Sequence, residues 1–157
     1  ALLTSFAARE VFVSTVSTIY SIGSDAENST IKETYPFQTL LGFEVMDWSQ
    51  DFARIEMPVV PHLLNRAGTP HGGVYATLLD TAMGYAGCFT SDPERRLLAL
   101  TLSLPTNFLS RPKGNLMIAE GRRIGGGKST FFTEATVKDD TGELLATGSG
   151  AFRYRNS

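Results

Sequence analysis

The chain of 157 residues contains a single cysteine, Cys88, and therefore cannot form an internal disulfide. A lone cysteine fits a reducing compartment, and we expect a cytoplasmic location. Cys88 falls near the end of a predicted helix, and no base stands close to it in the sequence. We interpret it as a packing residue rather than a reactive thiol, because free cysteine often behaves as a small apolar side chain.

Histidine is also scarce, since the chain has only His62 and His71. Without a cluster of His or Cys at ligand spacing, the sequence predicts no metal site. The glycines at 125–127 lack the Lys-Ser spacing of a phosphate-binding loop, so we interpret them as a tight connection between strands. We expect neither a metal nor a redox cofactor.

The chain has no strong excess of charge and no long apolar run. A net charge of −2 argues against general binding to nucleic acid. No stretch is long and apolar enough to span a membrane. The hydrophobic content of 42% and the charged content of 19% are ordinary for a globular protein. The length predicts one domain with a sizeable core.

Residues 1–35 differ from the rest of the chain. They are rich in Ser and Thr, and they lack the basic start and continuous apolar run of a secretory signal. We interpret them as an N-terminal arm of unknown role. The folded domain is predicted to comprise residues 36–157.

The most informative stretch is 65–73, which leads into a predicted helix over residues 74–89. Proline and glycine interrupt the first part, whereas the second has no proline and repeats apolar residues at helical spacing. The other face of this helix is small, and it would permit close approach of a partner helix; its members are Gly73, Ala76, Gly84 and Gly87.

The remainder predicts a short helix and a meander of antiparallel strands. The helix covers residues 36–41, and the strands cover 43–48, 52–59, 97–108, 115–124, 129–138 and 144–154. Pro105 lies inside the third strand and requires an edge position or a bulge. One long helix with an antiparallel sheet is an α+β architecture.

The start of the long helix offers hydrogen-bond donors to a ligand. The first N–H groups of a helix have no internal partner, and glycine at positions 72 and 73 lets a ligand approach them, as in an oxyanion hole. Asp80 is a candidate base or nucleophile. Asp80 follows His71 by nine positions, or about 13 Å of helix. Both groups act on one carbonyl only if they come from two chains.

Each of these residues also has a structural interpretation. The glycines could form an ordinary helix-start turn, His71 could be a hydrogen-bonded structural histidine, and Asn65 could stabilise a turn. For Asp80 a function is favoured, because a carboxylate among small residues on a buried helix is costly unless it is paired or used.

The pattern Asn-x5-His-Gly-Gly-x6-Asp, with the later segment 98–112, resembles the PaaI-type acyl-CoA thioesterases of the hotdog-fold superfamily. The resemblance runs from about residue 36 to 154. It implies a hotdog fold, in which an antiparallel sheet wraps a long central helix. By this resemblance Gly72 is the oxyanion donor, with Gly73 in the substrate site. His71 and Asn65 support the thioester site, Asp80 is the catalytic carboxylate from the partner chain, and Thr101 lies near the attacking water.

The resemblance implies hydrolysis of an aryl- or fatty acyl-CoA thioester by a homodimer, with two dimers pairing into a tetramer. Asp80 would activate water or attack the carbonyl directly. A non-catalytic acyl-CoA-binding module, acting as a sensor or regulator, is the alternative. A hotdog hydratase would be expected to pair an Asp with a His along the helix, and no His follows Asp80 there.

Basic residues cluster in one stretch of the chain: Arg111, Lys113, Arg122, Arg123 and Lys128. Such residues are commonly solvated surface. Coenzyme A, however, carries a 3′-phosphate and a diphosphate, which Arg and Lys bind well. We therefore predict that Arg111 and Lys128 contact the nucleotide end of the substrate.

Overall fold

The computed structural model describes residues 34–92 and 94–155. Within these residues a long helix is wrapped by an antiparallel sheet, as the sequence predicts. The helices are α1 (Pro36–Leu41) and α2 (Gly72–Cys88), with a short 3-10 helix at Pro61–Leu63. The strands are β1 (Glu44–Ser49), β2 (Phe52–Pro58), β3 (Leu98–Ser103), β4 (Thr106–Phe108), β5 (Leu116–Gly126), β6 (Thr130–Asp139) and β7 (Leu144–Arg155).

The described strands form one sheet in the order β1-β2-β5-β6-β7-β3, and β4 also pairs with β7. Every pairing is antiparallel. Strands β1 and β3 therefore form the two edges. The inward faces of β2, β5, β6 and β7 pack on α2, and the core includes Ile55, Met57, Leu78, Leu79, Met83, Met117, Phe131, Val137, Leu145 and Phe152.

The small residues of α2 and β5 let helix and sheet approach closely. The Cβ position of Gly121 on β5 would collide with the backbone carbonyl of Ala82. Gly87 lies against the ring of Phe131, and the Cβ position of Gly84 is 3.8 Å from the ring of Phe152. The expectation that Gly87 leaves room for a partner helix is therefore corrected, because Gly87 is buried against the chain's own Phe131. Gly84 is half-exposed, and its place beside a partner helix stays a prediction.

Two strand predictions differ from the structure. The predicted strand over 97–108 is split into β3 and β4, because Pro105 has no N–H to donate to a ladder. Gly125 and Gly126 lie inside β5 rather than in a turn, and the turn is formed by residues 127–129.

The predicted arm over residues 1–35 lies outside the described residues except for Thr34 and Tyr35. Tyr35 belongs with the folded unit that begins at Thr34, and its ring contacts the edge of Phe43 at a centroid distance of 6.1 Å. The domain therefore begins at least two residues before the predicted boundary.

Candidate active site

The N-terminus of α2 is capped by its own histidine. His71 is the N-cap residue, and its Nδ1 accepts a hydrogen bond from the Gly73 N–H at 2.9 Å. A neutral imidazole that accepts at Nδ1 carries its proton on Nε2, which remains a donor. The Gly73 N–H is thus occupied, and in the described part of the chain the Gly72 N–H has no partner. Of the two glycines, Gly72 is the one with a donor to offer.

The loop before α2 is shaped by Asn65. Its Oδ1 accepts from the N–H of Ala67 at 2.8 Å, and its Nδ2 donates to Thr69 Oγ1 at 3.1 Å. These contacts are those of a residue that stabilises a turn, as one of the two interpretations of Asn65 predicts. The loop and the start of α2 form a shallow, open depression of about 560 Å³. It is lined by Leu64, Asn65, Arg66, Ala67, His71 and Gly72. Arg66 lines this depression together with Gly72. The sequence pattern does not predict this, because the loop must fold before the two residues face one depression.

An aromatic ring covers Gly72. The ring of Phe108, from β4, lies 3.4 Å from the position that a Cβ of Gly72 would occupy. Phe108 also packs against Tyr75, at a centroid distance of 6.3 Å. An alanine Cβ at position 72 would make an ordinary van der Waals contact with this ring, and a longer side chain would press on it.

Asp80 lies near the middle of α2, on a side of the helix that is half-exposed. Its Oδ1 accepts a hydrogen bond from Thr101 Oγ1, on β3, at 2.7 Å. Two residues separated by 21 positions are thus joined by one short hydrogen bond. Both had been assigned to the site from the resemblance, and the structure brings them into contact.

The structure does not bring Asp80 to Gly72 within one chain. Eight positions separate them along a continuous helix, which amounts to about 12 Å at about 1.5 Å per residue. The predicted site residues therefore fall into two separate groups of the described chain, which we call half-sites. One contains Asn65, His71 and Gly72, and the other contains Asp80 and Thr101.

Arg111 and Lys128 are both exposed and lie at opposite ends of β5. Arg111 is in the connection before this 11-residue strand, and Lys128 is in the turn after it. At about 3.3 Å per residue the strand spans roughly 30 Å. The two side chains are not neighbours in one chain.

Several groups stay outside the site. Burial raises the pKa of Cys88 to about 11, so its thiol is protonated and unreactive at neutral pH. Among the described residues, no three His, Cys, Asp or Glu side chains form a group able to hold a metal ion. None of the helices in the ranges 34–92 and 94–155 has the length and apolar character needed to cross a membrane.

Comparison with known proteins gives matches over most of the folded part. The family described as Thioesterase superfamily matches residues 67–146. A relative from Listeria monocytogenes, named 1,4-dihydroxy-2-naphthoyl-CoA hydrolase, is 26% identical over 108 residues, covering 69% of this chain and 86% of the relative.

Solved structures share the fold. Conserved protein PA5202 from Pseudomonas aeruginosa has a TM-score of 0.73 and 23% identity, covering 82% of this chain and 100% of that one. The Escherichia coli PaaI protein, from the phenylacetic acid degradation operon, has a TM-score of 0.69 and 22% identity. The match covers 77% of this chain and 85% of that one.

Proposed function

Because the chain belongs to the thioesterase superfamily and has the predicted hotdog fold, we propose that it hydrolyses acyl-CoA thioesters to a free acid and CoA. The acyl group is an aryl or a fatty group. The Listeria relative, named as a naphthoyl-CoA hydrolase, supports a CoA thioester as the substrate.

The observation that carries this proposal is the contact between Asp80 and Thr101. In the described part of the chain Asp80 has one hydrogen-bond donor, Thr101, at 2.7 Å, and the carboxylate remains partly accessible. The unused acceptor positions can receive a proton from water. A general base must lie within hydrogen-bond reach of the proton it takes, and this arrangement allows it.

The proposed reaction uses the two half-sites together. The Gly72 N–H donates to the thioester carbonyl oxygen, where negative charge develops as the carbonyl carbon becomes tetrahedral. Asp80 takes a proton from water, and the water oxygen attacks that carbon. The C–S bond then breaks, and the thiolate of CoA takes the proton from Asp80. In the alternative, Asp80 attacks the carbon itself, and the C–S bond breaks to release the thiolate of CoA. Water then hydrolyses the resulting anhydride to the acid and the Asp80 carboxylate, and the proton released goes to the thiolate.

This reaction needs two chains, because about 12 Å separates Gly72 from Asp80 along one helix. Strand β3, which carries Thr101, is an edge of the sheet, and Leu98, Leu100 and Leu102 on it are all more than half exposed. An exposed edge strand with apolar side chains favours pairing with another chain. We propose a two-fold dimer through this edge, which gives two equal sites, and a pair of such dimers as a tetramer.

We propose that Arg111 and Lys128 bind the phosphates of CoA. Since they lie at opposite ends of β5, one CoA meets both only where different chains of the assembly contribute them. We also propose a cytoplasmic location, consistent with the single, unpaired Cys88.

The test is the release of free CoA from a panel of aryl, short-chain and long-chain acyl-CoAs. Asp80→Asn retains an oxygen that accepts from Thr101 but removes the base, and we expect kcat to fall at least about 100-fold. Asp47→Asn removes an exposed carboxylate from β1 and serves as the matched control. Near-full activity in Asp80→Asn would refute the assigned chemistry.

The same experiment addresses the non-catalytic alternative. A wild-type protein that binds acyl-CoA thioethers but releases no CoA from any thioester would be a binding module. For an active enzyme, a single turnover in ¹⁸O-labelled water distinguishes the two chemical routes. An unlabelled acid with ¹⁸O in the Asp80 carboxylate after the first turnover identifies Asp80 as the nucleophile, with water attacking the Asp80 carboxyl carbon of the anhydride. If Asp80 is a base, the acid gains ¹⁸O and Asp80 stays unlabelled.

A further inference from the structure

A phenylalanine of β4 lies against Gly72, the residue whose N–H is the proposed oxyanion donor. Three atoms of the Phe108 ring lie between 3.4 and 3.9 Å from the Cβ position of Gly72. The backbone of Phe108 is held by the sheet, because Phe108 pairs with Ala146 of β7. The N–H of the next residue, Leu109, donates to the Leu145 carbonyl at 2.9 Å. The sheet thus fixes the strand that brings this ring to the start of α2.

The ring of Phe108 is supported on one side and free on another. Tyr75, one turn after Gly72 on α2, is only 5% exposed, and its ring meets the Phe108 ring at a centroid distance of 6.3 Å. Phe108 itself remains 57% exposed. A large apolar surface is therefore fixed beside the proposed donor and is open to a ligand.

The ring borders the space in front of the Gly72 N–H. The first N–H groups of a helix point out of its N-terminal end, and the Cα–Cβ bonds tilt toward that same end. Phe108 lies where a Cβ of Gly72 would point. A carbonyl oxygen that accepts from the Gly72 N–H at about 2.9 Å places its carbon within about 4 Å of the nitrogen. A group bonded to that carbon is therefore within reach of the Phe108 ring.

Gly72 also has polar surroundings. It lines the open depression formed by the loop before α2, where Asn65 and Arg66 are exposed. The two substituents of a thioester carbonyl differ in the same way: the acyl chain is apolar, whereas the CoA arm contains amides and ends in phosphates. An aromatic ring gains from contact with an apolar group, and arginine binds phosphates and amide oxygens. The ring therefore suits the acyl chain, and the depression suits the CoA arm.

We propose that Phe108 contacts the acyl group of the substrate and determines which acyl groups are accepted, while the CoA arm leaves past Arg66. This inference rests on the proposed thioesterase function, since it starts from a carbonyl oxygen bound by Gly72. Tyr75 is a positioning residue, which supports the ring of Phe108 from within the core.

The effect of Phe108 should depend on the size of the acyl group. Acetyl adds one methyl group and covers little of the ring, whereas benzoyl or decanoyl can cover most of its free face. Losing about 100 Å² of apolar contact lowers kcat/KM roughly 70-fold. Phe108→Tyr retains the ring and should retain the wild-type order of substrates.

The experiment compares kcat/KM for acetyl-CoA, benzoyl-CoA and decanoyl-CoA in the wild type and four variants. These are Phe108→Ala, Phe108→Tyr, Arg66→Ala and, as the matched control, Phe132→Ala. Phe132 is 49% exposed on β6 and alternates with the buried Phe131 and Thr133, so it lies on the outer face of the sheet.

We expect Phe108→Ala to lower kcat/KM at least about 10-fold for the better of the two larger substrates and less than about 3-fold for acetyl-CoA. Arg66→Ala should lower all three by similar factors, because every substrate has the same CoA arm. Phe132→Ala should change none of them.

Three results would overturn the proposal. The first is a wild type whose best substrate is acetyl-CoA, which makes little use of the ring. The second is an equal loss for all three substrates in Phe108→Ala, or no loss. A partner chain covering Phe108 would give such an equal loss, together with a shift toward monomer in analytical ultracentrifugation. The third is a loss that depends on acyl size in Arg66→Ala, which would reverse the orientation of the substrate.

Calorimetry with the thioethers S-ethyl-CoA and S-decyl-CoA separates this inference from the proposed function. If the wild type releases no CoA from any thioester, but Phe108→Ala weakens only S-decyl-CoA, the hydrolase assignment fails and the acyl contact stands. If Phe108→Ala weakens both thioethers equally or neither, or if the wild type binds neither, the acyl contact fails as well. An active enzyme that loses the same factor for every acyl group contradicts the acyl contact alone.

Discussion

Asp80 and Asp139 show how the surroundings of a carboxylate decide its use. Asp139 is 2% exposed, and it accepts from the N–H groups of Lys113, Gly114, Thr141 and Glu143 and from the Thr141 hydroxyl. Burial alone would raise the pKa of Asp139, but these hydrogen bonds outweigh it and hold the pKa well below its usual range. Its acceptor capacity is used within the chain. Asp80 keeps unused acceptors and can act on water.

Asp139→Asn is expected to destabilise the fold without touching the proposed site. A carboxylate whose pKa is lower in the folded chain than in the unfolded chain stabilises the fold. This stabilisation is fully present above the pKa of the unfolded chain, about 3.9, and is lost as the pH falls below that value. The variant should lose about 1.5–3 kcal/mol at pH 7. Between pH 6 and pH 3, the free energy of unfolding measured in urea should fall less for Asp139→Asn than for the wild type. Asp47→Asn is the control and should fall as much as the wild type. An unaltered pH dependence would show that Asp139 is not the group responsible.

At the scale of elements, the packing of α2 on β5 depends on one glycine. Gly121 faces the backbone of α2 at Ala82, and Gly125, four residues further along β5, has no atom within 4 Å of its Cβ position. On the same strand, the Cβ position is therefore blocked by α2 at Gly121 and free of neighbouring atoms at Gly125. Neither has a positive φ, so steric contact alone distinguishes them.

Gly121→Ala should therefore force α2 away from the sheet, at a cost of about 1–3 kcal/mol. Gly125→Ala should leave the stability unchanged or raise it slightly, because alanine reduces the freedom of the unfolded chain. Urea unfolding of both variants at one protein concentration measures the difference. Equal stabilities would contradict the close contact between α2 and β5.

At the scale of the whole molecule, the proposed shared site predicts complementation between two inactive variants. Gly72→Pro removes the N–H that binds the carbonyl oxygen. Gly72 is the first residue of α2, where proline is well tolerated, and His71 has the extended backbone that precedes proline (φ −62°, ψ 144°). Gly72→Ala retains the N–H, adds a Cβ beside Phe108, and serves as the steric control.

Mixing Gly72→Pro chains with Asp80→Asn chains, by unfolding and co-refolding, should restore activity. In each heterodimer one site carries both defects and the other carries neither, so we expect about half the wild-type rate per heterodimer. Each variant refolded alone should remain inactive. Heterodimers that form but stay inactive would rule out a site shared in this way.

In the proposed assembly, different chains contribute Arg111 and Lys128 to the binding of CoA. Replacing Arg111 and Lys128 by Ala should raise KM for an acyl-CoA far more than for a short acyl-pantetheine thioester, and high salt should reduce the difference. Lys138→Ala, which removes an exposed cation from β6, is the control. An equal rise in KM for both substrates would exclude these two residues from the nucleotide site.

The predicted meander is wrong in one respect: in the sheet β2 pairs with β5, and β3 lies at the far edge beside β7. Sequence patterns alone predicted the α+β class, the long helix with its start at the glycine pair, and the succession of strands along the chain. These features follow from local chemistry: helical and alternating periodicity, and glycine and proline where an element ends. The pattern around His71 and Asp80 carried the resemblance to the family, and the family match over residues 67–146 confirms it. The broken third strand was foreseeable as well, since Pro105 cannot donate to a ladder.

The face of α2 that meets the sheet, and the residues that surround Asp80, depend on tertiary packing. The spacing of Gly87 suited a partner helix as well as it suited Phe131, because helical periodicity reports small positions but not what fills the space beside them. The contact of Thr101 with Asp80 and the separation of Arg111 from Lys128 both depend on how distant segments pack. These distances are set by contacts between segments far apart in the sequence. A local sequence pattern carries no information about such contacts.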